Sequence, residues 1–188
     1  ADWSLTVLDR GSSAIIANAS ERLTRELRDR RGTEDSSADD RLAEVISEMR
    51  LVKDDYEIAE LQEAVAGTHR GFQDIIDALP TAIGHPRGER IVEGAFHARA
   101  RLEGNDVGYG TIAASGSHAC ILHWVTNDGP VSPGDLLLVD AGVERDSLYT
   151  ADITRTLPVS GTFTQTQRSV YDAVVEAADA AFQIVKPG

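Results

Sequence analysis

The chain has 188 residues, 41% of them hydrophobic, and a formal net charge of −13 at pH 7. This apolar content is too high for a largely disordered protein, and the negative charge argues against nucleic acids and anionic membranes as partners. Uninterrupted apolar runs such as Leu136 to Val139 are far shorter than the roughly 20 residues that cross a bilayer. The first residues, Ala1 to Ser4, show no basic region followed by an apolar one, so no export signal is visible and a cytoplasmic protein is expected.

The first forty residues differ from the rest of the chain. Their apolar residues recur at helical spacing in a charged background: Ile15, Ile16, Ala19, Leu23 and Leu27. The stretch from Arg30 to Asp40 contains only Ala38 as an apolar residue and is rich in turn-forming residues, which predicts a linker with little regular structure. We therefore expect residues 1–40 to be the tail of an amino-terminal domain with its linker, and residues 41–188 to belong to a second domain.

Two helices are predicted next. Asp54 and Glu57 fit a capping box at the start of the first helix, and Pro80 is expected to end it. The apolar stripe of this helix consists of Ile58, Leu61, Val65, Phe72, Ile75, Ile76 and Leu79. The second helix is predicted to stop at Gly104, and its apolar positions include Ile91, Ala95 and Leu102.

From Tyr109 onward the pattern changes to short β runs punctuated by glycine and proline. The predicted strands cover residues 109–114, 120–125, 135–141 and 148–157. Cys120, next to Ile121, is expected to be a small buried residue. Thr164 with Gln167 three residues later predicts the cap of a last helix. Helices followed by strands and a final helix indicate an α+β fold.

Two aspartates, Asp140 and Asp152, carry the strongest chemical signal. Asp140 ends a run of four apolar residues, and a carboxylate at the end of a buried strand is costly unless a cation or hydrogen-bond donors compensate its charge. If the two segments form an antiparallel hairpin centred on Asp146, the aspartates lie directly opposite each other with Cβ atoms about 5 Å apart. The same face would then carry Thr150, Thr154 and Thr156.

The sequence pattern leaves two interpretations of this aspartate pair open. Carboxylates this close repel each other unless they share a proton or a cation, and an all-oxygen pair suits a metal such as manganese or magnesium. The structural alternative is that Asp140 simply leaves the strand, while Asp152 accepts hydrogen bonds from backbone amides or pairs with Arg155.

Several motifs are similar to those of a known family. They are Val139-Asp140-Ala141-Gly142, Ala151-Asp152-Ile153-Thr154-Arg155-Thr156, Cys120-Ile121-Leu122-His123-Trp124, Gly161-Thr162-Phe163-Thr164 and Ser47-Glu48-Met49-Arg50-Leu51-Val52-Lys53. Together they resemble the pita-bread metallopeptidases, which include aminopeptidase P (Xaa-Pro aminopeptidase), prolidase and methionine aminopeptidase, and the two aspartate motifs are most similar to aminopeptidase P. The resemblance implies that residues 41–188 form the amino-terminal half of a pita-bread catalytic domain, an antiparallel sheet with helices on one face.

The resemblance also implies an activity and its site residues. Family members hold two divalent metal ions, usually manganese, with two aspartates, one histidine and two glutamates, and a hydroxide between the metals attacks the carbonyl that precedes proline. By motif position, Asp140 would bind one metal and Asp152 would bind both. His123 would line the active site and position the substrate, and Thr154 would lie beside the ligands. The expected substrates are peptides with proline at the second position, and self-association is a further expectation.

Two departures from the family pattern matter. The aspartates are one residue farther apart than is usual, which we expect to lengthen the turn between them. The remaining histidine and glutamates have no counterpart in the 188 residues, and neither His97 nor His118 is expected to replace them. We therefore expect the 188 residues alone to be an incomplete, inactive part of the enzyme. A prolidase and a non-catalytic pita-bread module that binds protein partners are the alternatives.

Overall fold

The computed structural model describes residues 14–15, 20–32 and 35–187. The chain divides into two compact units, residues 1–55 and 56–188. The assignment of residues 1–40 to the tail of a preceding domain stays a prediction.

The described residues of the first unit form two helices, α1 (Glu21–Arg31) and α2 (Ser37–Leu51). A bidentate ion pair joins them, with Arg31 Nη1 and Nη2 lying 2.7 and 3.1 Å from the two carboxylate oxygens of Asp39. The prediction of an irregular linker over residues 30–40 is therefore wrong for most of its length, because polar side chains pair with one another there and stabilise helix ends. Of the predicted helical stripe before Ser20, Ile16 and Ala19 lie outside the described residues.

Two long helices follow, α3 (Asp55–Ala82) and α4 (Gly88–Glu103), and all but the first residue of α3 belongs to the second unit. They approach closely, since a Cβ atom at Gly71 would lie 2.6 Å from the ring of Phe96. Pro80 lies inside α3 and does not end it. Only two residues of the helix follow this proline, so the cost of its missing N–H and of its ring is confined to the last turn.

The predicted end of α4 is confirmed, because Gly104 is its C-cap residue and donates its N–H to Ala100 O. One predicted apolar position is wrong: Leu102 is 79% exposed. The helix instead buries Val92, Phe96 and Ala100 against the core.

The strands form two antiparallel sheets. The first pairs β1 (Asp106–Val107) with β4 (Val143–Glu144), and the second has the order β2-β3-β5, with β2 at Ile112–Ser115, β3 at Leu136–Ala141 and β5 at Ile153–Pro158. Alternate residues of β3, namely Leu137, Val139 and Ala141, are buried in one core with residues of α3 and α4. Asp140 therefore belongs to the opposite face of the sheet, since successive side chains of a strand point to opposite faces.

The register of the β3–β5 hairpin differs from the prediction. Asp140 lies opposite Thr154 and not opposite Asp152, so the hairpin is centred one residue later than Asp146. Its loop contains residues 146–148, and Leu148 has a left-handed backbone with φ +68°, as expected of a three-residue hairpin loop. Because the shift in pairing is two residues, both aspartates keep the predicted face.

The predicted strand over residues 120–125 is wrong. A short 3₁₀ helix, Gly116–Cys120, is followed by an irregular loop, in which His123 and Asn127 have φ values of +57° and +48°. The expected burial of Cys120 is also wrong, because this residue is exposed. Side chains from α4, described below, bind this loop in place of a neighbouring strand.

The last helix, α5 (Gln165–Gln183), begins with the predicted capping box. Thr164 Oγ1 accepts from the Gln167 backbone N–H at 3.2 Å, and Gln167 Oε1 accepts from the Thr164 N–H at 2.9 Å. The predicted stripe of α5 does not form a core in the described part of the chain, since Val170 and Val174 are exposed. An open cleft of about 610 Å³ separates the helix from β5. None of the described helices is long and apolar enough to cross a membrane.

Candidate metal site

The carboxylates of Asp140 and Asp152 converge on one hydroxyl group. Tyr109 Oη lies 2.6 Å from Asp140 Oδ1 and 3.0 Å from Asp152 Oδ1. A phenol has a single hydrogen to donate, so the two carboxylate oxygens share it. The sequence predicted that the two aspartates would lie on one face, and the structure brings them together there.

The chain positions these three residues at one end of the sheet. Asp140 is the penultimate residue of β3 and lies opposite Ile112, the first residue of β2. Tyr109 lies just before β2 begins, and Asp152 immediately precedes β5. Since β2 and β5 both flank β3, the residues that lead into them meet at the end of β3 that carries Asp140.

Tyr109 is neutral in this arrangement. Burial raises the pKa of its phenol, and the hydrogen bonds to Asp140 and Asp152 raise the pKa further, as do the charges of the same two carboxylates. The phenol therefore acts as a hydrogen-bond donor, because its deprotonation would place a third negative charge beside two others.

The structural interpretation of the aspartates is not supported. Arg155 Nη1 donates to the carbonyl oxygen of Thr154 at 2.7 Å, so it does not compensate Asp152. Within the described ranges, neither aspartate forms an ion pair or accepts a backbone N–H. Two carboxylates compensated only by one shared phenol leave a concentration of negative charge that a cation would stabilise.

His123 lies in the same cleft as the aspartates. The cleft has a volume of about 370 Å³ and is lined by Tyr109, Gly110, Ile112, His123, Val125, Asp140 and Asp152. The three residues predicted for catalysis and metal binding are thus brought together. Thr154 is opposite Asp140 in the ladder but lines the cleft beside α5, so its predicted place among the site residues remains a prediction.

The two other histidines weighed as ligands lie elsewhere. His97 is exposed on α4. His118 Nδ1 is 2.8 Å from Glu89 Oε1, and its ring stacks on Trp124 with centroids 4.0 Å apart. Over residues 14–15, 20–32 and 35–187, no group of three or more His, Cys, Asp and Glu residues is placed to hold a metal ion.

The sequence interpretation missed Tyr109, which it took as the first residue of a strand. The available signal was the pair of glycines around it, Gly108 and Gly110. A Cβ atom at Gly108 would lie 2.0 Å from Thr150 Cγ2. Such a close approach of backbone and side chain is typical of glycine beside a functional site.

Comparisons with known proteins identify the family to which the chain belongs. A family model described as metallopeptidase family M24 matches residues 59–188. The chain therefore belongs to this family.

Individual relatives give a more specific similarity. The chain is 60% identical over 156 residues to Xaa-Pro aminopeptidase 2 of Streptomyces coelicolor, an alignment that covers 83% of this chain and 33% of that protein. Zinc-substituted aminopeptidase P of E. coli in complex with product superposes with a TM-score of 0.64 at 38% identity, over 74% of this chain and 31% of that chain. Proline aminopeptidase P II from Yersinia pestis gives 0.65 at 37% identity, with 74% and 31% covered.

These similarities confirm the predicted α+β class and the relationship to the pita-bread aminopeptidase fold. They also show how much of each relative the chain matches. The chain spans about a third of the length of the relatives it matches.

Proposed function

We propose that this chain supplies part of the active site of a divalent-metal-dependent aminopeptidase that releases the N-terminal residue preceding proline. The observation that carries the proposal is the convergence of Asp140 and Asp152 on the Tyr109 hydroxyl, in a cleft that also contains His123. The similarity to proteins named Xaa-Pro aminopeptidases supports the substrate class.

The residues present fit a hard or borderline cation. Both candidate ligands are carboxylates, they lie on the same face of the sheet, and no cationic side chain among the described residues pairs with them. Oxygen ligands of this kind suit manganese, and they also accommodate zinc or magnesium. We propose manganese as the metal and a pair of ions as the complete centre, in which Asp140 would hold one ion and Asp152 would contribute to holding both.

The side chains have distinct proposed roles in the reaction. Bound divalent metal ions supply a nucleophile near neutral pH and polarise the substrate carbonyl. Before metal binds, Tyr109 holds the two carboxylates close to each other through its hydroxyl. His123 donates a hydrogen bond to the substrate from the wall of the cleft, where charge develops during peptide hydrolysis. Ile112 and Val125 provide the apolar part of this wall.

The described residues provide two carboxylate ligands and no third. This number is too small to complete the coordination of two metal ions. We therefore propose that the 188 residues bind manganese weakly and leave Xaa-Pro peptides uncut, and that activity requires further ligands. The presence of both aspartates argues against a non-catalytic binding module. Cytoplasmic location and self-association stay expectations.

The test measures manganese binding by the 188-residue chain, with free Mn²⁺ monitored by electron paramagnetic resonance. The variants Asp140→Asn and Asp152→Asn should each abolish specific binding, because each removes a ligand charge. Asp146→Asn is the matched control, since Asp146 is an exposed aspartate in the loop of the same hairpin. Equal binding by all four proteins would refute the proposed site.

The substrate class needs a separate assay. The intact mass is measured first, so that the assayed material is known to be the 188-residue chain. Release of the N-terminal residue is then followed by chromatography for a peptide with proline at the second position and for its alanine counterpart. Cleavage of both peptides at equal rates by a manganese-loaded protein containing this site would reject the Xaa-Pro assignment.

A further inference from the structure

Glu89, in the first turn of α4, has a fully buried carboxylate with four hydrogen-bond partners. Its Oε1 accepts from the Ser115 backbone N–H and from His118 Nδ1, each at 2.8 Å. Its Oε2 accepts from Trp124 Nε1 at 3.0 Å and from the Gly129 backbone N–H at 2.8 Å. A buried carboxylate is retained only when its lone pairs are satisfied in this way, and its place near a helix N-terminus adds to the stabilisation.

The four donors share one loop. Ser115 is the last residue of β2, where the loop begins, and Gly129 lies near its end. His118 and Trp124 lie between them, and their rings stack on each other. A single side chain of α4 therefore binds the start, the middle and the end of the segment that carries His123.

Four residues after His123, the buried side chain of Asn127 is hydrogen-bonded to Ala113, Thr111 and Glu93, and the loop has few other attachments between the two residues. The backbone bonds described there are local: Ile121 N–H donates to His118 O, and Val125 N–H donates to His123 O, both at 2.9 Å. Arg90 Nη2, from the residue after Glu89, donates to the carbonyl oxygen of Thr126 at 2.9 Å. The position of residues 121–126 is thus set by side chains at the start of α4, together with Asn127, which fixes the residue that follows them.

His123 itself has a left-handed backbone, with φ +57°. A residue other than glycine adopts this conformation only when its surroundings impose it. The neighbouring residue Trp124 is fixed on one side by its bond to Glu89 and on the other by the ring of His118. This constraint acts one residue away from the side chain that enters the cleft of Asp140.

We infer that Glu89 is a positioning residue, which fixes Trp124 and thereby holds His123 in its left-handed conformation with the side chain in the cleft of the two aspartates. The inference rests on the proposed function, because the position of His123 matters for catalysis only if the cleft binds metal and peptide. It also has consequences in the metal-free chain that do not depend on that function.

The first experiment uses NMR to measure hydrogen exchange of amide and indole N–H groups in the metal-free chain. Glu89→Gln should accelerate exchange of the Trp124 indole N–H and of the Val125 amide by about tenfold or more, because these bonds depend on the loop's anchor. Exchange at Val139 in β3 should accelerate less than exchange at these two sites, which separates release of the loop from general destabilisation. Glu176→Gln, the same change at an exposed residue of α5, is the matched control.

A second variant keeps the test decisive if Glu89→Gln does not fold. Trp124→Phe removes the indole bond to Glu89 and retains a smaller aromatic ring beside His118. It should accelerate exchange of the Val125 amide in the same way. If the folded variants retain the wild-type exchange rate at Val125, the inference is overturned.

Addition of substoichiometric Mn²⁺ tests whether Glu89 determines the position of His123 relative to the metal site. In the wild type, the ion should broaden ring signals of both Tyr109 and His123. In Glu89→Gln, Tyr109 should remain broadened while the effect on His123 falls by about threefold or more, as expected from a displacement on the ångström scale. No broadening of Tyr109 in the wild type would contradict the proposed metal site and leave the exchange result to decide on Glu89. Equal broadening of His123 in both proteins would overturn the positioning inference.

Discussion

Tyr109 donates its hydroxyl hydrogen across 2.6 Å to Asp140, and the same hydroxyl is 3.0 Å from Asp152. In the metal-free chain this hydroxyl is the hydrogen-bond donor that the two carboxylates share. Tyr109→Phe should therefore lower the free energy of unfolding by about 1–2 kcal/mol, chiefly the cost of leaving the half-buried Asp140 carboxylate without its donor, because Asp152 is exposed. Urea unfolding of the metal-free protein measures this loss.

Excess Mn²⁺ should reduce the difference between Tyr109→Phe and the wild type, because a cation between the carboxylates replaces the compensation that the hydroxyl gave. Tyr171→Phe is the control. It also removes a phenol hydroxyl, but the ring of Tyr171 packs on Phe163 outside the site. If Mn²⁺ stabilises the wild type more than Tyr109→Phe, the hydroxyl supports metal binding and does not substitute for the metal.

Leu148 provides a test of the hairpin loop between the two aspartates. Its side chain is exposed, and its φ of +68° is unfavourable for a residue with a Cβ atom. Leu148→Gly should raise the free energy of unfolding by up to about 1 kcal/mol, because the relief of strain exceeds the entropic cost of glycine. Thermal unfolding measures the change.

Leu148→Val is the opposing variant at the same position. A β-branched side chain tolerates positive φ least, so this variant should be less stable than the wild type by about 1 kcal/mol. The order of stability glycine, leucine, valine is the expected result. An unchanged or reversed order would show that the loop adopts another conformation in solution.

The common face of Asp140 and Asp152 could be predicted from the sequence, whereas their register could not. Side chains alternate with a period of two along a strand, so a pairing shifted by two residues keeps every side chain on its face. The exact pairing depends on the loop, and the left-handed conformation falls on Leu148, a residue type that gives no signal for it. The motif therefore indicated a shared site without indicating that Thr154 would be the partner of Asp140.

The loop around His123 shows why local pattern was insufficient elsewhere. The apolar run Cys120 to Leu122 is typical of a strand, but its backbone has no strand partner in the described structure, and Ile121 and Leu122 are exposed. The buried carboxylate of Glu89 decides the conformation from a helix about thirty residues earlier. A tertiary hydrogen bond of this kind leaves no periodic trace, because a single glutamate on a helix is usually solvated.

The same carboxylate predicts a dependence of stability on pH. Burial alone would raise the pKa of Glu89, but the hydrogen bonds from Ser115, Trp124, His118 and Gly129 outweigh it, so the pKa lies below its ordinary value of 4.5. A lowered folded-state pKa means that the contribution of Glu89 to stability is present above pH 4.5 and is lost as the pH falls through the folded value.

The stability difference between the wild type and Glu89→Gln should accordingly shrink on acidification. Urea unfolding at about pH 6 and at about pH 3.5 measures it, provided that both proteins unfold in one step. Glu176→Gln should show little change relative to the wild type over the same range, because its carboxylate is exposed. A difference that stays constant with pH would mean that folding leaves the pKa of Glu89 unchanged, and a difference that grows on acidification would mean that Glu89 is protonated in the folded chain.

Gly142 follows the β3 strand that ends at Ala141, and there the hairpin leaves no space for a side chain. A Cβ atom at this position would lie 1.6 Å from the carbonyl oxygen of Ala151, the residue before Asp152. Gly142→Ala should therefore force the two segments apart and lower the free energy of unfolding by about 3 kcal/mol or more. Gly94→Ala is the matched control, because its Cβ atom on α4 would have no neighbour within 4 Å, and it should stabilise the chain by about 0.5–1 kcal/mol.

Mn²⁺ titration of both variants then separates an effect on the site from an effect on the fold. Gly142→Ala should lose binding even at temperatures where it is folded, because separation of these segments moves Asp152 away from Asp140. Gly94→Ala should bind Mn²⁺ as the wild type does. Wild-type affinity in a folded Gly142→Ala protein would mean that the spacing of the two aspartates does not determine metal binding.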